Sequence, residues 1–69
     1  QRKAEDLKAY AIELFKENPT LSQGEISLSL MNDFQIKERM ARNYLKIMKE
    51  QHIIVKNSTN TSLYNLNEE

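Results

Sequence analysis

A chain of 69 residues has room for one domain with one small core, and little stability to spare for a deep pocket or a strained catalytic geometry. With 39% hydrophobic and 29% charged residues, one Gly and one Pro, it reads as a folded, helix-rich domain, which excludes the disordered and collagen-like classes. Ten Lys and Arg balance ten Asp and Glu; there is no Cys to form a disulfide, hold zinc or act as a nucleophile, and no apolar run nears the roughly 20 residues of a membrane span.

In chain order, Leu7, Tyr10, Ala11, Leu14 and Phe15 fall at helical spacing and predict a first helix over residues 3–17, with Lys8, Glu13, Lys16 and Glu17 off the stripe. Pro19 disfavours helical geometry at Asn18 and should end it. Ser22 and Glu25 have the spacing of a capping box, and Leu21 with Ile26 that of a hydrophobic staple, so a second helix is predicted over residues 23–32. Ile26 and Leu30, helped by Met31, form its inward stripe, and Asn32, Asp33, Phe34 and Gln35 read as the turn that leaves it.

The third helix is predicted over residues 37–51, with two apolar lines: Ala41, Leu45 and Met48, and beside them Met40, Tyr44 and Ile47. Met40 and Tyr44 are therefore expected in the core or at its margin. Its other side carries Arg39, Arg42, Asn43, Lys46 and Lys49. From Lys37 to Lys56 six Lys or Arg stand against Glu38 and Glu50, a local excess of +4 in a chain that is neutral overall. The pattern then changes to β-formers (His52 to Val55), turn-formers (Asn57 to Thr61) and a second short strand (Ser62 to Leu66), which predicts a β-hairpin over residues 52–66. Glu68 and Glu69 read as a frayed acidic end. The whole is expected to be one domain, mainly α with a small β-hairpin.

Three helices followed by a hairpin is the order of the winged helix-turn-helix. The stretch from Leu21 to Val55 resembles the bacterial, phage and archaeal members of that family in its capped second helix, in the inner positions Ala41, Leu45 and Met48, and in its closing phrase. That phrase is Met48, Lys49, Glu50, Gln51, His52, Ile53, Ile54, with His52 where the family usually has a left-handed Gly; His tolerates positive φ better than β-branched residues do. The resemblance implies duplex DNA as partner, with the third helix in the major groove and the hairpin as a wing on the backbone. Arg42, Asn43 and Lys46 would contact bases and Arg39 bases or phosphate, with Lys37 and Lys49 completing the cationic set. Ser22 and Gln23 would meet phosphate at the start of helix two. Lys56, Asn57, Ser58, Thr59, Asn60 and Thr61 would make modest wing contacts. The branch of the family that binds left-handed DNA has proline and tryptophan in its wing, and this chain has neither there.

Each functional reading has a plainer competitor. Long cations on a helix are commonly just solvated. Glu13 and Glu17, one turn apart, read as a solvated surface and not as a catalytic pair. His52 is the single His, which makes metal binding a poor reading, so no cofactor and no enzymatic activity are expected of this domain. The competing function is a winged helix that docks protein instead of DNA, a reading favoured by the neutral net charge. The absence of Cys fits a cytoplasmic location, and the start at Gln1, without an initiating Met, suggests a piece of a longer protein: a transcriptional regulator, or a replication protein (helicase or primase) of a plasmid, phage or other mobile element. A homodimer through the first helix, or contact with other domains of the parent protein, stays open.

Overall fold

Leu7, Ala11 and Phe15 close into the buried stripe of helix α1 (Ala4–Glu17) in the computed structural model, which describes residues 4–67. Tyr10 and Leu14 pack half-buried beside them. The acidic first turn (Glu5, Asp6) and Lys16 in the last turn both suit the helix dipole. The helix ends at Glu17, just before the Asn18–Pro19 step that disfavours its continuation. The expected start at residue 3 and the acidic end Glu68 and Glu69 lie outside the described residues.

Next comes an element the periodicity did not reveal, the short strand β1 (Thr20–Ser22). Its Leu21 is buried, and the strand exists because a partner more than forty residues downstream supplies its hydrogen bonds. Ser22 then caps helix α2 (Gln23–Phe34) as the sequence implied. Its Oγ accepts from the Glu25 N–H at 3.2 Å, and Glu25 Oε1 accepts from the Ser22 N–H at 3.0 Å. Donation from Ser22 to the Glu25 carboxylate, first from its backbone N–H and then from its side chain, favours the charged form and lowers the Glu25 pKa from its ordinary value. Leu21 and Ile26, the two residues of the staple, are both in the core.

Asp33 and Phe34, beyond the predicted end at residue 32, are helical, a correction to their reading as part of the turn. Tertiary contacts account for it. The Tyr10 hydroxyl donates to Asp33 Oδ2 at 2.6 Å, and the Phe34 ring contacts both Tyr10 (centroids 4.8 Å apart) and, nearly perpendicular, Tyr44 (6.0 Å). The reversal falls instead on Gln35, at φ 55, whose left-handed conformation lets the Ile36 N–H return to the Met31 carbonyl at 3.1 Å.

Helix α3 (Glu38–Glu50) follows, with Lys37 and Gln51 as the residues at its caps. Ala41, Tyr44, Leu45 and Met48 are buried, and Ile47 is half-buried. Met40, expected with Tyr44 in the core or at its margin, is 38% exposed. It sits one residue before Ala41, about 100° round the helix, and so falls past the margin of the buried face.

At the end of α3, His52 adopts φ 57. Its N–H reaches the Lys49 carbonyl at 3.1 Å and the Ile53 N–H reaches the Met48 carbonyl at 2.8 Å, the two hydrogen bonds of a Schellman turn. His52 thus takes the left-handed position that the resemblance assigned to Gly. It is not part of a strand, and neither is Ile53: the hairpin begins at β2 (Ile54–Lys56) and returns through β3 (Leu63–Leu66), which corrects the expected strand starts. A bend at Ile53 allows the successive residues Ile53 and Ile54 both to face the core. The sheet order is β1-β3-β2, antiparallel throughout, with Leu21 opposite Tyr64 and Val55 opposite Asn65. The architecture is mainly helical with a small three-stranded antiparallel sheet, so the expected hairpin gains a third strand.

Two measurements probe these turns and contacts. His52 has an exposed side chain, so His52→Gly should raise stability by roughly 0.5 kcal/mol, relief of left-handed strain (about 1–2 kcal/mol) exceeding the added unfolded-state entropy (about 0.4–1 kcal/mol). A lower urea midpoint in the variant would mean that the imidazole itself supports the turn. Burial first, and then the hydrogen bond and charge of Asp33, push the Tyr10 pKa up. The folded phenol therefore stays protonated while the unfolded one ionises near pH 10, so its contribution is complete below about pH 10 and is lost as pH rises further. Between pH 9 and pH 11 the urea midpoint of Tyr10→Phe should fall less than that of the parent; parallel declines would remove this assignment.

Candidate nucleic-acid interface

Burying Ala41, Tyr44, Leu45 and Met48 turns the opposite side of α3 outward, and Arg39, Arg42, Asn43 and Lys46 are all exposed there. With Lys37 from the preceding turn they line one open concavity, to which Ile36 and Met40 add apolar surface. Four cations and one anion, Glu38, share this lining, an excess of +3 in a neutral chain. Arg42 makes an ion pair with Glu38 one turn earlier; their side chains are 72% and 61% exposed. A pair this solvated is worth about 0–1 kcal/mol, so Arg42 can exchange Glu38 for a stronger acceptor at small cost.

The remaining candidates fall into two other groups. Lys49 is half-buried and turned away from the concavity. Its Nζ donates to Gln23 Oε1 at 2.8 Å and lies 5.2 Å from the centroid of the Tyr64 ring. Gln23 and Lys49 together tie the start of α2 and the end of α3 to β3. Ser22 beside them is engaged in capping.

On the hairpin, Lys56, Ser58, Thr59, Asn60 and Thr61 are exposed. Asn57 is occupied with the turn itself: its Oδ1 accepts from the N–H of Thr59 (2.8 Å) and of Asn60 (2.9 Å), and its Nδ2 donates to Asn65 Oδ1 (3.2 Å). Asn60 Oδ1 accepts from the Ser62 N–H at 3.0 Å. The two asparagines shape the loop, which leaves Lys56, Ser58, Thr59 and Thr61 as the exposed side chains best able to reach a ligand.

Ile36 and Met40 were not among the residues expected on this surface, and Glu38, counted against the local cations, was not paired with Arg42. The Glu38–Arg42 pair was legible in its i, i+4 spacing. The exposure of Met40 was not, because two apolar lines on one helix leave the centre of the buried face undefined until the partners are known. Among the described residues no group of three or more His, Cys, Asp and Glu is placed to hold a metal ion, and no helix is long and apolar enough to cross a membrane.

No protein family, curated protein or solved structure gives a match to this chain.

Because Lys49 bridges three elements, Lys49→Ala should lower stability by about 0.5–1.5 kcal/mol through the lost hydrogen bond and ring contact. Combined with Gln23→Ala in a double-mutant cycle, the losses should be non-additive. Simple additivity in urea denaturation would instead describe two independently solvated side chains.

Proposed function

We propose that this chain is a winged helix-turn-helix domain that binds duplex DNA, with α3 in the major groove and the β2–β3 hairpin as a wing against the backbone. The observation that carries the reading is the α3 outer face, where Arg39, Arg42, Asn43 and Lys46 stand exposed together on a helix whose inner side is buried through Ala41, Tyr44, Leu45 and Met48. A helix fits the roughly 12 Å width of the major groove, and Arg and Asn are the side chains that pair bidentately with guanine and adenine. Element order and sheet order agree with a winged helix: three helices, a short strand after the first, and a hairpin that completes the sheet.

Within this reading the residues divide by role. Arg42, Asn43 and Lys46 read bases, Arg39 and Lys37 take bases or phosphate, and Lys56 with the exposed hydroxyls of Ser58 and Thr59 meets the backbone. Gln23 and Lys49 hold the start of α2 against α3, where the α2 N-terminal amides and the helix dipole favour phosphate. The domain acts as a binding module and contributes no catalytic group. A second reading, docking of an acidic protein surface, draws on the apolar share of the concavity supplied by Ile36 and Met40; it requires no dependence on nucleic acid.

Fluorescence anisotropy with a random 20-base-pair duplex and with single-stranded DNA, each at two salt concentrations, separates the two. Duplex affinity should fall with salt; Arg42→Ala with Lys46→Ala should weaken binding at a given salt concentration, and Lys56→Ala should shrink the slope of log K against log salt by about 1, roughly one unit per lost phosphate neutralisation. A folded domain that binds neither probe at low salt would support protein docking instead.

A further inference from the structure

We infer that Met40 is a specificity-determining residue that reads the 5-methyl group of thymine, an inference that rests on the duplex-DNA reading of the α3 face. Scattered exposed apolar side chains are ordinary on protein surfaces, and Leu28 is more exposed than Met40. What distinguishes Met40 is its company: it lines the same concavity as Arg39, Asn43 and Lys46, with half-buried Ile36 from the preceding turn. An apolar strip set among cations and an amide matches the major-groove edge of an A·T pair, where adenine offers a donor and an acceptor and thymine an acceptor and a methyl group.

The spacing fits adjacent base pairs. Met40 and Asn43 are three residues apart, so they project from neighbouring turns of one helix side, offset by about 4.5 Å along its axis. Base pairs in duplex DNA are stacked about 3.4 Å apart. Asn43 can therefore take an adenine edge while Met40 covers the thymine methyl of the next pair. Its unbranched thioether chain adapts to a small apolar target. Arg42, released from Glu38, is available for a third position or for phosphate.

Deoxyuridine differs from thymidine in the groove only by that methyl, so the test compares an alternating dA·dT duplex of 20 base pairs with the same duplex carrying dU for every dT. Affinity for the thymine duplex should be at least about fourfold higher, the equivalent of one buried methyl at about 0.8 kcal/mol. Met40→Ala, at an exposed position and checked for folding by circular dichroism, should bring the two affinities together and leave the salt dependence unchanged. Salt-dependent binding with equal affinity for both duplexes would overturn the inference and leave the duplex reading standing. A thymine preference that persists in Met40→Ala would also overturn it, assigning the discrimination to DNA shape. Failure to bind either duplex at low salt would remove the duplex reading and this inference with it.

Discussion

The structure depends on the burial of one side of α3. Ala41, Tyr44, Leu45 and Met48 are nearly or wholly excluded from solvent, and around them gather Leu7, Ala11 and Phe15 of α1, Ile26 and Leu30 of α2, and Ile53, Ile54 and Tyr64 of the hairpin. A chain this short has a single core, so every element must bring its apolar residues to this helix. The consequence for the opposite side is geometric. Once the inner side is fixed, Arg39, Asn43 and Lys46 have no route except outward.

Both ends of α3 are set by left-handed residues that are not glycine. Gln35 reverses the chain between α2 and α3, and His52 turns it from α3 into the hairpin, each with helix carbonyls captured by the following N–H groups. Together they fix where the basic helix begins and where the hairpin departs. The base of the hairpin is closed by Asn67, whose side chain donates to the His52 carbonyl at 2.7 Å and whose N–H reaches the Ile53 carbonyl at 2.9 Å. The turn at His52 is thereby held from both sides, by α3 and by the strand that returns.

Neutral net charge conceals a segregation of charge between helices. The exposed residues of α1 include Glu5, Asp6, Glu13 and Glu17 against Lys8 and Lys16, whereas the outward face of α3 and the turn before it have an excess of cations. Not every cation in that region is available in the same way. Lys49 is held between Gln23 and the Tyr64 ring, and Arg42 shares its guanidinium with Glu38. The surface that remains, of cations, one amide and a narrow apolar strip, is more selective in its chemistry than the local count of +4 suggests.

The sequence by itself determined the local devices: the helical stripe of α1 and its stop before Pro19, the capping box of Ser22 and Glu25, and the buried positions Ala41, Leu45 and Met48. Each of these depends on residues within a few positions of one another, and so on periodicity, capping and backbone sterics that short stretches of chain already contain. Only the tertiary structure decided that Thr20–Ser22 is a strand, that Phe34 stays helical, that Met40 faces solvent beside Ile36, and that Lys49 is turned away from the basic face. These outcomes were set by partners far off in the chain. Strand β1 needs Tyr64 and its neighbours, Phe34 needs Tyr10 and Tyr44, and Lys49 needs Gln23 and the Tyr64 ring. Contacts across such separations depend on where the packed core brings the elements together, which no local pattern encodes.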